Sequence, residues 1–575
     1  MKHSDYRNTS KTTAWRRWVW PLGLTGVIAV GTAACYELQP EDASDSATIQ
    51  AEASGTSSSA SSQRYPNNNN VSSPVNGQNG QSQQSASAMQ NELFTSGQQL
   101  NGYRSTYHFT VPDKWKNDPQ RPVYANGKYH YYYLYNKDYP NGNGTEWRHA
   151  TSTDLVHWQD HGVAIPKYTS ANGDPWSGSV VVDTNNSAGL GKNTMIAIVT
   201  QPSANGGAQE QYLWFSPDGG NTFKAFGKKP ILSNPGNADF RDPKLVWDQQ
   251  SRRWIMLMAE GHRIGFYTST NLKSWRYVSD FVADDIGTLE CPDLYRMRAS
   301  NGTYKWVLGV SANGRESGQP NTYAYWVGTF TGLGFKADDI QPQWLDYGFD
   351  WYAAVTFEDG TTNKPYDHRY AMAWMNNWDY ANNTPTLQDG FNGTDSMVRQ
   401  IQLKKTTGGA GYTLLSQPIR GLSKFVTATR HIPRVEVDGQ HKLDVRASSY
   451  QLDADITWSD LKNAGFQLRR SSDGSRHVDA GVFVEGGYTY VNRSYTGHPD
   501  ANDNLLESRA PFQSANQKVH LKILVDKTSV EMFVDGGQVT LSNLVFPKPD
   551  DQGIALYSEG GKAVFDNVVI KYLGK

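Results

Sequence analysis

The 575-residue sequence predicts an all-β protein: a five-bladed β-propeller followed by a β-sandwich. Three observations point there. The chain holds 18 Trp, 32 Tyr and 53 Gly, a profile of strand-forming aromatics and tight turns. Between Tyr103 and Lys404 short β runs alternate with Gly, Asn, Asp and Pro, and one turn motif recurs among them. From about Tyr412 the pattern changes to many short strands with alternating apolar and polar faces.

Taken in order, the first element reads as an export signal over residues 1–35. Lys2, Arg7, Lys11, Arg16 and Arg17 precede an apolar run from Trp18 to Ala34, and Thr32-Ala33-Ala34 are small enough for cleavage. Lipid attachment at Cys35 is the alternative, disfavoured by Thr32 where such signals usually carry Leu. Secretion or tethering to the outer cell surface is expected, with a membrane contact only through such an anchor. Residues 36–100 are rich in Ser, Asn and Gln, as in Pro66-Asn67-Asn68-Asn69-Asn70, and bury too little apolar surface to fold; they read as a disordered tether. The only cysteines are Cys35 and Cys291, so removing the first leaves no disulfide.

Residues 101–408 are assigned to the propeller. The recurring turn is Ser152-Thr153-Asp154, then Ser216-Pro217-Asp218, then Ser269-Thr270-Asn271, each with an aromatic shortly after. Individually these are ordinary Asx turns. Recurrence every 50 to 65 residues is what stacked four-stranded blades give, and about 300 residues at that period make five. Residues 409–575 are assigned to the sandwich, with strands such as Leu452–Trp458 and Val519–Val525. Asp500-Ala501-Asn502-Asp503-Asn504 looks like a calcium loop but lacks its Gly and closing Glu, so no metal is expected.

Three acids stand beside prolines: Asp118-Pro119, Asp242-Pro243, and Glu290-Cys291-Pro292. A proline pushes the residue before it towards extended backbone, which would stiffen and aim each carboxylate. Asp-Pro alone is equally a turn signal. A propeller, however, gathers inner strands on one axis, where acids of the first, third and fourth blades can meet. With 54 basic and 56 acidic side chains the composition favours neither nucleic acid nor a membrane surface as partner.

From Tyr107 to Leu573 the chain resembles glycoside hydrolase family 32, the fructan hydrolases and invertases. The resemblance rests on an ordered set of blocks: Trp115 to Pro119, Trp176-Ser177-Gly178-Ser179, Phe240-Arg241-Asp242-Pro243, Glu290-Cys291-Pro292-Asp293, Ala373-Trp374-Met375-Asn376-Asn377-Trp378, and Val525-Asp526-Lys527-Thr528-Ser529-Val530-Glu531. It implies the propeller and sandwich, no cofactor, and a retaining mechanism. Asp118 would be the nucleophile, Glu290 the general acid/base, and Asp242 with Arg241 the grip on fructosyl hydroxyls. Asn117, Trp147, Trp176, Ser177, Tyr352 and Trp374 would line the pocket. That chemistry needs Asp118 ionised while Glu290 is held protonated. Cys291 reads as a packing residue, since no His accompanies it.

The chain departs from the family pattern at Lys116 (commonly Met), at Gln120-Arg121 (commonly Asn-Gly) and at Leu134 (commonly Gln). The Asp-Pro-Gln-Arg-Pro version and Thr145–Ala150 resemble the branch acting on levan. The expectation is therefore a monomeric levanase cutting β-2,6 links, endo-acting and releasing short fructo-oligosaccharides. A levan fructotransferase, an exo-acting fructanase and a non-catalytic fructan-binding protein are the alternatives.

Overall fold

The computed structural model describes residues 102–574 apart from 171, 203–206, 316–317, 410 and 515. The expected export segment, Cys35 and the tether of residues 36–100 lie outside the described residues.

The propeller has five antiparallel sheets in chain order. Their first strands are Lys114–Ala125, Gly178–Asp183, Arg241–Asp248, Leu289–Arg298 and Tyr352–Glu358. Each touches the next, and the fifth touches the first, closing a ring around one axis. Blade I follows with Lys128–Asn136, Glu146–Ser152 and Gln159–Ile165; the other four repeat this meander. Between blades lie apolar layers. Tyr132, Leu134 and Trp147 pack on Val180 and Met195 between blades I and II, and Trp326 with Phe281 packs between III and IV. The ring is also tied where Phe391–Asn392 runs parallel to Lys114–Trp115.

The repeated motif is one recurring hairpin between the third and fourth strands of blades I, II and III. Ser152, Ser216 and Ser269 each accept a backbone N–H two residues on. Asp154, Asp218 and Asn271 then accept two further N–H groups each. The next residue has positive φ every time: Leu155 (64°), Gly219 (74°) and Leu272 (59°). The Asx bonds hold even leucine there against its steric preference.

The propeller runs further than residue 408. Tyr412–Pro418 pairs along Arg399–Lys405 and is the outer strand of blade V, so the boundary falls after Pro418. The Gly-rich stretch after Lys405 lies in a hairpin within the blade, and Tyr412–Pro418 alternates like the sandwich strands beyond it.

In the sandwich, the 21-residue strand Gly553–Leu573 serves both layers. Its first part pairs with Asn463–Arg470 and its second with Tyr450–Trp458. The bend comes at Gly560 (φ 65°) and Gly561 (φ 149°). A Cβ on Gly561 would lie 1.9 Å from the Asp460 carbonyl oxygen, so the corner requires glycine. Leu452, Phe466, Leu521, Val530, Leu556 and Phe565 fill the space between the layers.

The stretch Val525 to Glu531 fastens the sandwich to the propeller. Asp526 accepts the N–H groups of Thr106 and Tyr107, and His108 bridges Asp526 (2.9 Å) and Glu531 (2.8 Å). Glu531 also receives Arg399 (2.6 Å), whose other nitrogen reaches Asp346 at 2.8 Å. All of these side chains are fully buried. Burial alone would lower His108, but its two carboxylate bonds outweigh that and push it up to about 9. The Asp500 loop is closed by backbone N–H groups from Asn502, Asn504 and Leu505, an Asx arrangement; among the described residues no three metal-ligating side chains cluster.

Candidate active site

The residues singled out from sequence gather where the five inner strands begin. In blades I, III, IV and V that beginning is a break in the ladder: the register shifts between Lys116 and Pro119, Arg241 and Lys244, Glu290 and Asp293, and Tyr352 and Val355. Such bulges re-aim side chains at the rim of a barrel or propeller.

The backbone there differs from the extended form expected before proline. Asp242 has φ 61° and Cys291 φ 49°, although each precedes a proline, and Ala353 has φ 49°. Hydrogen bonds hold these strained residues. The Asp242 N–H donates to Thr200 Oγ1 at 3.1 Å, and the Cys291 N–H donates to Asp242 Oδ2 at 2.9 Å. The bulges turn Glu290 and Tyr352 towards each other, with the Tyr352 hydroxyl donating to Glu290 Oε2 at 2.5 Å. Asp118 stays within the strand Lys114–Ala125, as expected of a pre-proline residue.

Asp118 is held from two sides. Ser177 Oγ donates to its Oδ2 at 2.6 Å, and Asn117 Nδ2 to its Oδ1 at 3.1 Å. Asn117 is itself aimed by Trp115, whose Nε1 donates to its Oδ1. Trp115 packs on Tyr139, Trp374 and Trp378, an aromatic wall joined to the next loop where Tyr139 donates to Asn382. Opposite, Arg241 Nε donates to Glu290 Oε1 at 3.1 Å, while its NH1 pairs with Asp239. The three acids converge on Cys291: its Sγ is 3.7 Å from Asp242 Oδ2 and 4.0 Å from Asp118 Oδ2, and Glu290 is its chain neighbour.

The electrostatics run against a nucleophile that ionises easily. Burial, and then the charge of Asp242, push Asp118 up to about 7 despite the opposing bonds from Ser177 and Asn117. Burial likewise lifts Asp242, with Arg241 opposing and Glu290 adding, to about 6. Cys291 is pushed up well above the usual thiol range by burial and then by Asp242 and Asp118. That is an inert thiol, as its packing role requires.

Two expected pocket residues present no surface to a ligand. Trp147 is fully buried between blades I and II and donates Nε1 to the Trp176 carbonyl at 2.8 Å, so it props up the half-buried Trp176. Trp374 is likewise 0% exposed and stands in the packed aromatic wall. Leu134 belongs to the layer beneath Trp147, which removes a polar group from that wall. Gln209 and Thr200 belong to no motif that marks them in the sequence: Gln209 Oε1 accepts the Phe240 N–H at 2.9 Å and meets Arg241 NH1 at 3.4 Å. Gln120 is marked there only by its departure from the family pattern. Gln120 Nε2 donates to Ser177 Oγ at 3.2 Å, and its Oε1 accepts the Gly178 N–H at 2.8 Å, tying Ser177 to the strand of Asp118.

Two carboxylates flanked by a third, with a guanidinium and a tyrosine hydroxyl on one of them, can open an acetal by nucleophilic displacement with proton donation. Comparison with known proteins agrees with the chemistry. Residues 108–418 match the glycosyl hydrolases family 32 N-terminal domain, and residues 421–572 match the family 32 C-terminal domain. A levanbiose-producing levanase of Bacillus subtilis is 59% identical over 478 residues, 83% of this chain and 92% of that one. One from Geobacillus stearothermophilus is 60% identical over 395 residues, 69% of this chain and all of that one. The crystal structure of an exo-inulinase from Aspergillus awamori superposes with TM-score 0.73 at 28% identity, covering 83% of this chain and 99% of that one.

Proposed function

The chain belongs to family 32 of the glycosyl hydrolases, and we propose that it hydrolyses the β-2,6 links of levan with retention of configuration, releasing a short fructo-oligosaccharide. The observation that carries this reading is the meeting of Asp118, Asp242 and Glu290, from blades I, III and IV of one ring, around Cys291.

In the first step the Asp118 carboxylate attacks C2 of a fructosyl unit while Glu290 passes its proton to the departing 6-oxygen of the next unit. Asp242 and Arg241 hold ring hydroxyls and share the positive charge that develops. Forming the ester removes the negative charge of Asp118. In the second step Glu290 takes a proton from water, the resulting oxygen attacks C2, and the Asp118 carboxylate leaves. Two inversions at C2 give net retention.

The two relatives are both named for producing levanbiose, which favours release of a disaccharide over the endo cleavage to short fructo-oligosaccharides expected from the sequence. The basic and apolar N-terminal stretch supports export. The deciding experiment is a time course of products from levan, inulin and sucrose. Disaccharide accumulating from levan at the earliest times supports the reading. A ladder of long fragments returns the endo alternative, and products lighter by one water identify a transferase.

A further inference from the structure

Below the three acids the axis of the ring is filled by charge. Arg121 follows Asp118 by three residues on the same strand, is 5% exposed, and reaches across the axis. Its NH2 donates to the Pro292 carbonyl, two residues past Glu290. Its NH1 donates to the Gly178 carbonyl at 3.5 Å, one residue past Ser177. Its Nε lies 4.0 Å from Asp293. Asp293 in turn meets Lys244 at 3.1 Å and accepts both the N–H and the hydroxyl of Thr356 at 3.0 and 2.7 Å. Through Arg121 and Asp293, strands of all five blades are joined beneath the pocket.

The arrangement is particular about chemistry. The bulge between Glu290 and Asp293 breaks the ladder, and Arg121 supplies a donor to a carbonyl within it. The planar fork presents two separate nitrogens in fixed geometry to carbonyls on different blades, which the single nitrogen of an ammonium group cannot reproduce. The same guanidinium adds positive charge under a site crowded with carboxylates.

We infer that Arg121 is a positioning residue for this reaction: it sets the spacing between the strands that carry Asp118 and Glu290 and supplies part of the positive charge beneath them. This rests on the function proposed above. The charged and titratable groups around Arg121 and its partner Asp293 are Asp118 on its own strand, Asp242 and Lys244 from blade III, Glu290, Cys291, Asp293, Tyr295 and Tyr323 from blade IV, and Arg369 from blade V. Asp293 is already held down to about 2, where Lys244, Arg121 and Arg369 outweigh its burial. Loss of Arg121 therefore leaves the upper acids with less cationic support, while Asp293 keeps Lys244.

The test compares parent, Arg121→Lys and Arg121→Met on levan, measuring kcat, KM and the pH profile together with melting temperature. For Arg121→Met the inference expects kcat to fall at least about tenfold with KM nearly unchanged. The acidic limb of kcat/KM should move up by about half a pH unit. Arg121→Lys should keep the parental limb yet lose most of the kcat, because charge returns without the fork. Parental kcat and limb in a folded Arg121→Met variant overturn the inference. If that variant does not fold, parental kcat in Arg121→Lys overturns it. A parent protein inactive on levan would instead refute the proposed function, leaving the two failures distinguishable.

Discussion

The backbone N–H of Cys291 donates to the carboxylate of Asp242 at 2.9 Å, so the bulge that presents Glu290 is fastened to the acid of the neighbouring blade. The bond uses the main chain, and the thiol is surrounded by carboxylates that oppose its ionisation. Cys291→Ala should therefore retain activity within about threefold, and native protein should resist iodoacetamide. Rapid inactivation by alkylation would show that the thiol is reachable.

Ser177 has a sharper role, because its hydroxyl favours the ionised form of Asp118. Ser177→Ala removes a hydrogen bond to a charged group, worth ~1.5–3 kcal/mol. Turnover on levan should drop about tenfold or more. The acidic limb of the pH profile should also move to higher pH, since Asp118 then holds its proton more tightly. An unmoved limb would contradict this role.

Asp118 itself links activity to stability. Its folded value of about 7 lies above its ordinary 3.8, so the folded state binds the proton more tightly than the unfolded chain does. The stabilising contribution of the protonated form is complete below about 3.8 and disappears as pH rises through about 7. Activity should rise over the upper part of that window, as the nucleophile ionises. Asp118→Asn should abolish turnover yet be more stable than the parent at pH 8, by ~1–2 kcal/mol after allowance for solvent screening of this partly exposed group. The difference should vanish near pH 4 in thermal melts.

The buried cluster at the propeller–sandwich boundary should dominate global stability. Arg399→Ala strands Glu531 and Asp346 without their cation and should cost ~3–5 kcal/mol in urea unfolding. His108 adds a pH dependence of the same sign at higher pH. Its raised value means its contribution is present below about 6.5 and is lost as pH rises through about 9. Parental stability that is flat across that interval would argue against a charged His108.

Much of this molecule could be read from its residues. The Ser-x-Asp/Asn recurrence led to the blade count because each copy forms the same hairpin, and the acids met because a propeller converges its inner strands. Local backbone form was less legible. The pre-proline preference held at Asp118 but gave way at Asp242 and Cys291, where bonds from other blades fix a left-handed residue. Trp147 was misassigned because a tryptophan beside a pocket motif reads alike whether it faces ligand or core; the strand's register decides, and it turns Trp147 towards Val180. Gln120 and Arg121 stood out only as departures, since their partners lie 57 to 171 residues away.

The central claim is that Asp118 attacks C2 and Glu290 handles the proton. It is tested most directly by adding azide to Asp118→Gly and Glu290→Gly during levan turnover and determining the anomeric configuration of the fructosyl azides by NMR. The account predicts inverted product from Asp118→Gly, where azide replaces the nucleophile, and retained product from Glu290→Gly, where azide intercepts the fructosyl-enzyme. The same configuration from both variants, or parental hydrolysis by Asp118→Gly without azide, would contradict it.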